Sequence, residues 1–232
     1  MKSNLSSLYK EDYFSMRNGN DRQRRESFNQ EKSFIEKYSS LNETVLDVGC
    51  STGEFLENIK WTGVKYGIEI SDEAAKKASD RGIKMVNDYS VENSLDAVIY
   101  RGTIQHLNSP FRSLEKAAQT LKVGGKLFII ATPNINSLYY RIFRTLPALD
   151  KERNFFLPSD LSLVNICKIY KLDLISVEYP YIKSPYSRPF YDFYNFMLKL
   201  LLSIFNRGNN IETPFYKNMM NMVFEKKVEN DK

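Results

Sequence analysis

Between residues 44 and 132 the chain alternates short apolar runs with segments of helical spacing. TVLDV (44–48), VKYGIEI (64–70), IKMVN (83–87), LDAVIY (95–100) and KLFIIAT (126–132) are near-continuously apolar, as strands covered on both faces must be. The spacing predicts intervening helices from Gly53 to Lys60, over DEAAKKASD behind Ser71 or Asp72 as cap, and over PFRSLEKAAQTLK (110–122). The third has Pro at its start and Gly124-Gly125 at its end. Strand–helix alternation predicts a parallel sheet with helices on both faces. Right-handed crossovers then bring every strand's carboxyl end to one edge, where ligands bind.

Beyond Pro133 the alternation weakens and aromatics accumulate, with 18 of the chain's 31 lying in residues 133–232. Short helices are expected over 136–145 and 159–169, and strands over LDLISVEY (172–179) and MNMVFEKK (220–227). These two strands would complete the sheet as a hairpin interrupted by an insertion of residues 180–218. Connections longer than about 12–15 residues are commonly functional or disordered, and the aromatic content argues against disorder. The fold class is therefore α/β, a doubly wound and mostly parallel seven-stranded sheet. The whole chain, 1–232, reads as one domain: an N-terminal helical lid (1–43), a core (44–132) and a substrate-side segment (133–232).

Charge narrows the function only a little. A net +5 is mildly basic, and the one basic tract is Arg22-Gln23-Arg24-Arg25, so no nucleic-acid module is indicated. Cys50 and Cys167 are far apart and His106 is the sole histidine, which points away from disulfide frameworks and from histidine-based metal sites. MKSNLSSLYKED has no apolar signal core, and no run approaches the roughly 20 apolar residues of a membrane span. The expectation is a reduced, cytoplasmic protein with no metal.

The chemistry centres on LDVGCSTGEF, residues 46–55. Gly49-Cys50-Ser51-Thr52-Gly53 fits the G-x-S-x-G pattern of a serine hydrolase, but that fold orders its triad Ser, acid, His. His106 comes too early for this, and no strand precedes Val45 to supply an oxyanion hole. As a cofactor loop the stretch explains more. Gly49 turns the chain out of the strand and Gly53 lets the helix start close to the sheet. Glu69 ends the next strand, where a carboxylate can take both ribose hydroxyls. The G-x-x-x-G spacing and acidic Asp47 disfavour a pyrophosphate and suit a cationic nucleoside.

On these residues the sequence resembles the class I S-adenosylmethionine-dependent methyltransferases, whose fold is Rossmann-like. VLDVGCSTGEFL, GIEIS, MVNDYS, SLDAVIYRGTIQHL and LKVGGKLFIIATPN are similar to five of their motifs in order, over residues 44–134. Ser51 departs from the glycine more usual there. The resemblance implies S-adenosyl-L-methionine as cofactor. It implies that Asp47 orients the loop and the methionine ammonium, with Gly49, Cys50 and Ser51 lining the methionine. Glu69 would hold the ribose, Ile70 cover the adenine, Asp88 accept its amino group with Tyr89 alongside, and Arg101 and Gly102 pass beneath the sulfonium. Tyr13, Phe14 and Arg25 are lid candidates or simply a helix packing face.

A hydroxyl acceptor must shed its proton, for which His106 suits as base. A histidine occurs in this segment of related quinone-biosynthesis O-methyltransferases, although a structural duty before Pro110 would also account for it. Residues 133–161 look like the corresponding segment of surface-polysaccharide and sugar methyltransferases, making Asn134, Tyr139, Tyr140 and Arg144 candidate acceptor residues. The expected function is O-methylation of a sugar, nucleotide-sugar or glycan precursor. The alternatives are a quinone, aromatic or lipid-like acceptor, or a cofactor-binding protein without catalysis. FYNFMLKLLLSIF (193–205) reads as a homodimer interface or a buried helix ahead of a peripheral membrane contact.

Overall fold

The computed structural model describes residues 21–91, 95–150, 152–205 and 211–228; Tyr13 and Phe14 lie outside them. Helix α1 (Asp21–Ile35) precedes the sheet. The strands are β1 (Val45–Val48), β2 (Lys65–Ile68), β3 (Lys84–Met85), β4 (Leu95–Arg101), β5 (Leu121–Pro133), β6 (Leu172–Glu178) and β7 (Met219–Lys226). They form one sheet in the order β3-β2-β1-β4-β5-β7-β6. β1 to β5 pair in parallel, whereas β7 runs antiparallel to both β5 and β6. The last two strands are thus the expected hairpin, with residues 179–218 between them.

Period-two alternation puts successive side chains on opposite faces, and the central strands are apolar at both. Ala97 and Ile99 of β4 join Phe28 and Ile35 of α1 on one face; Val98 and Tyr100 join Leu114 and Leu163 on the other. Burying each such side chain stabilises the fold by roughly 1.5–3 kcal/mol. Helices α2 (Glu54–Asn58) and α3 (Asp72–Asp80) cover the first face beside α1, while α4 (Pro110–Thr120) and α6 (Asp160–Ile169) cover the second.

Three elements differ from expectation. β3 is two residues long, not five, because it is the sheet's edge and only Lys84 and Met85 find partners on β2. β5 begins at Leu121, opposite Leu95, with a register shift before Ala97 pairs Lys126. Gly124, at φ +79°, therefore bends a strand instead of terminating a helix. Helix α5 (Leu138–Phe143) is short: Ser137 accepts from the Tyr140 amide at its start, and Arg144 leaves it in the left-handed region at φ 55°.

The insertion folds around helix α7 (Pro189–Ser203). A buried helix does not hold as its description. Of its aromatic residues only Phe196 is buried, and Phe190 is 96% exposed. Among the described residues, no helix is long and apolar enough to cross a membrane.

Candidate active site

The carboxyl ends of β1, β2 and β4 open onto a cleft of about 960 Å³, open solvent at its mouth included. Asp47, Gly49, Cys50, Ser51, Glu69, Ile70, Arg101, Gly102 and His106 all line it, so residues spread over 60 positions converge on one edge. Gly49 adopts φ +75°, and a Cβ there would meet Thr103 at 2.5 Å; the turn out of β1 admits no side chain. Gly53 caps α2 behind the cleft, where a Cβ would collide with Ile83 at 2.6 Å. The close approach of α2 to α3 depends on that missing atom.

Glu69 ties the loop to β2. One carboxylate oxygen accepts from the Ser51 amide at 2.9 Å; the other accepts from the amides of Ile70 at 2.8 Å and Ser71 at 2.9 Å. The loop carrying Ser51 is thereby fixed against the end of β2, and Glu69 still presents acceptor capacity toward the cleft.

Asp47 sits at the cleft floor, 2% exposed, and its Oδ1 has no hydrogen-bond partner. Burial raises its carboxyl to about 7, opposed by the Arg101 guanidinium and reinforced by Glu69. A buried acceptor left unsatisfied costs about 1–3 kcal/mol, and a cationic ligand would relieve that cost. Arg101 does not neutralise Asp47 by contact, because its guanidinium is committed elsewhere. It grips Glu31 of α1 through Nε at 2.6 Å and Nη2 at 3.1 Å, over the rings of Phe28 at 4.5 Å and Phe55 at 5.1 Å. Glu31, 4% exposed, also accepts from Ser27 at 2.9 Å.

His106 closes the short 3₁₀ turn after β4. Its Nδ1 lies 2.9 Å from the Arg153 carbonyl oxygen. A carbonyl only accepts, so Nδ1 carries the hydrogen and the neutral ring presents its lone pair on Nε2. Gln105 approaches that Nε2 at 3.3 Å while donating to the Gly102 carbonyl at 3.0 Å. This contact ties the turn after β4 to a segment 47 residues further along the chain. Arg101, Gly102 and His106 also line a second cleft, of about 980 Å³, with Gln30, Glu31, Gln105, Tyr186 and Asn221. His106 stands in the wall common to both.

The remaining candidates lie elsewhere. Asp88 is exposed, its Oδ1 accepting from the Ser90 amide at 2.8 Å, which holds its carboxyl below the usual range. The Tyr89 hydroxyl points into the core, 2.8 Å from that of Tyr100 and against Ser113. Neither lines the cleft described above. The acceptor candidates need correction. Asn134 is fully buried and donates to Asp160 at 3.3 Å, bracing α6 instead of facing a ligand. Tyr139 is also fully buried, packed with Phe143, Phe196 and Phe215. Tyr140 packs at the border of that cluster, and Arg144 ends α5; neither lines the two clefts. The sequence does not say locally that the inward face of α5 meets the insertion.

Sequence reading missed Phe28 and Glu31, which α1 brings over the cleft from more than 60 residues before Arg101. The only local signal was the apolar spacing of α1. Among the described residues, no cluster of His, Cys, Asp or Glu could hold a metal ion.

The sequence model described as "Methyltransferase domain" matches residues 21–177. An uncharacterized protein of Methanocaldococcus jannaschii is 32% identical over 89 residues, 36% of this chain and 42% of that relative. The chain thus spans less than half the length of that curated relative. Among solved structures, a Thermotoga maritima S-adenosylmethionine-dependent methyltransferase, described as a possible histamine N-methyltransferase, superposes with a TM-score of 0.64. It is 18% identical, covering 96% of this chain and 100% of its own. Magnesium protoporphyrin IX methyltransferase from Synechocystis, with bound S-adenosylhomocysteine, gives a TM-score of 0.57 at 11% identity, covering 88% and 84%. At these identities the two structures speak for the fold.

Proposed function

The chain belongs to the methyltransferase domain family, which uses S-adenosylmethionine, and on that premise we propose that it methylates a hydroxyl group of a polar small molecule, a sugar or glycan precursor by preference. The observation that carries the reading is His106 in the wall between two clefts, its Nδ1 held by the Arg153 carbonyl.

The residues fit the cofactor. Asp47 supplies an unpartnered buried carboxylate for the methionine ammonium, Glu69 supplies acceptor oxygens for the ribose hydroxyls, and Ile70 an apolar cover for the base. When bound, S-adenosylmethionine supplies an electrophilic methyl group on a cationic sulfur. The protein's own part is alignment and proton removal. Glu31 holds the Arg101 guanidinium, so that two buried carboxylates balance one fixed cation and leave room for another. In the second cleft Gln30, Gln105 and Asn221 offer amide donors and acceptors to a polyhydroxylated acceptor. Nε2 of His106 takes the hydroxyl proton, and Nδ1 keeps its own on the Arg153 carbonyl.

This reading places the protein in the cytoplasm, in the synthesis of a surface polysaccharide, with residues 21–35 serving as a lid over both clefts. It is tested by methyl transfer from labelled cofactor into a metabolite extract, with the product's methylated atom identified. His106→Ala is expected to lower kcat by about 10²–10⁴-fold with unchanged S-adenosylhomocysteine affinity by calorimetry. Wild-type turnover in that variant would remove the base; a methylated nitrogen would remove the hydroxyl acceptor.

A further inference from the structure

Helix α7 is inside out. At 100° per residue, Asp192, Phe196 and Lys199 share one stripe, and all three are buried. Both charged groups of the helix are therefore turned inward. Asp192 accepts from Thr213 at 2.6 Å, Tyr181 at 3.0 Å and the Arg188 amide at 2.7 Å. Lys199 donates to the Tyr139 hydroxyl at 3.1 Å and sits over the Phe143 ring at 5.0 Å. The opposite arc carries Phe190, Phe193, Tyr194, Met197, Leu201 and Ile204, each 46% exposed or more. An aromatic and aliphatic face of about 22 Å, the length of a 15-residue helix, is far more than the scattered apolar residues of an ordinary surface.

Three observations indicate what covers it. The outward arc carries no charged side chain. The exposed charges immediately before it, Lys183 and Arg188, are both cationic, and the chain as a whole is at +5. The segment leading into the helix is the rim of the acceptor cleft: Pro180, Ser184 and Tyr186 line that cleft. Gln23 and Gln30 of α1 donate to the Pro185 and Lys183 carbonyls above it. The segment that leads into α7 is thus also the rim of the acceptor cleft. An aromatic arc beside a cationic border suits the boundary between acyl chains and anionic headgroups.

We propose that the outward face of α7 docks this protein on an anionic phospholipid surface, presenting the second cleft to the polar head of a membrane-borne amphiphile. The docking stands on α7 alone; the acceptor's class rests on the hydroxyl-methylation reading above.

The test for docking is flotation of the full chain with phosphatidylcholine vesicles and with vesicles also containing phosphatidylglycerol. Wild type is expected to rise with the mixed vesicles. The combined Phe190→Ser, Phe193→Ser and Leu201→Ser variant should stay at the bottom with unchanged melting temperature and S-adenosylhomocysteine affinity. Lys183→Ala and Arg188→Ala should each weaken binding roughly fivefold. Wild type remaining at the bottom of the gradient overturns the proposal. So does a wild-type dimer, by light scattering, that the triple variant converts to monomer, since the face then belongs to a second copy. For the acceptor's class, methyl label from the cofactor supplied to a membrane extract should enter the organic-soluble fraction. Label confined to the aqueous fraction overturns that half alone, and no transfer at all counts against the methylation reading and leaves the docking result standing.

Discussion

The cofactor edge and the C-terminal elaboration bury polar groups for opposite ends. At the carboxyl ends of β1 and β2, Asp47 is enclosed with an oxygen unpartnered and its carboxyl pushed up to about 7. In the insertion, Asp192 is enclosed just as completely, yet three donors satisfy it. An unsatisfied buried carboxylate weakens the fold and waits for a ligand; a satisfied one fixes a loop. The same residue type at the same burial thus marks a binding site in one region and a structural clamp in the other, and hydrogen-bond satisfaction tells them apart.

The largest effect that sharpens this contrast is Asp47→Asn. Losing a charge-assisted contact to a ligand ammonium is worth about 2–3 kcal/mol, so cofactor affinity by calorimetry should fall on the order of 30- to 150-fold. The same variant should melt higher than wild type without cofactor, because it removes a buried unpaired carboxylate. A lower melting temperature together with unchanged affinity would show that Asp47 is a structural clamp after all.

Titration probes the Asp47 side of the contrast. A carboxyl raised from 3.8 to about 7 is protonated in the folded protein where it would be ionised in the unfolded chain. Its contribution to stability is complete below about pH 4 and is lost as pH rises through about 7. Cofactor binding takes the opposite sign, since the ammonium needs the ionised form. Affinity should improve roughly tenfold from pH 6 to pH 8, following the ionised fraction of a group with pKa about 7, and Asp47→Asn should flatten that profile.

In the elaboration, Asp192→Ala strands the Thr213 and Tyr181 hydroxyls and the Arg188 amide, and leaves Lys199 beside a loosened cluster. The expected loss is about 2 kcal/mol of unfolding free energy by denaturant titration. Cofactor affinity should stay at the wild-type level, because Asp192, Thr213, Tyr181 and Arg188 do not line the cofactor cleft. A parallel fall in cofactor binding would mean that the two regions are one cooperative unit.

How much of this could be read in the sequence follows the same divide. The strand–loop–strand core was legible because its signals are local: VLDV before Gly49, GIEIS ending in Glu69, and Pro110 opening α4 each declare themselves within a few residues. The cleft residues from Asp47 to His106 follow from one sheet edge collecting every loop. β3 was overread, since IKMVN has strand composition but an edge gives it only two partners. Past Pro133 local signals still mark α6, β6 and β7, but they do not say which side chains face inward. Tyr139 and Tyr140 have helical spacing, but which of them faces the core depends on Phe196 and Phe215, more than 50 residues later. Asn134 is claimed by Asp160. Helix α7 reverses the usual rule, its charged residues inward, because Asp192 and Lys199 find partners that no window around them contains.

The smallest expected effect concerns Ser51, the residue that departs from the glycine usual in this loop. Ser51 stands at φ 52°, a left-handed conformation that costs a side chain of this kind about 1 kcal/mol. Ser51→Gly removes that strain but gives the unfolded chain more freedom to lose, a penalty of about 0.5–1 kcal/mol. The two nearly cancel, so the unfolding free energy should change by less than about 0.5 kcal/mol. The amide that Glu69 accepts from at 2.9 Å is present in either residue, and cofactor affinity should therefore change less than twofold. A large loss of affinity would show that the Ser51 hydroxyl itself touches the cofactor, giving this loop a polar contact that its glycine-bearing relatives lack.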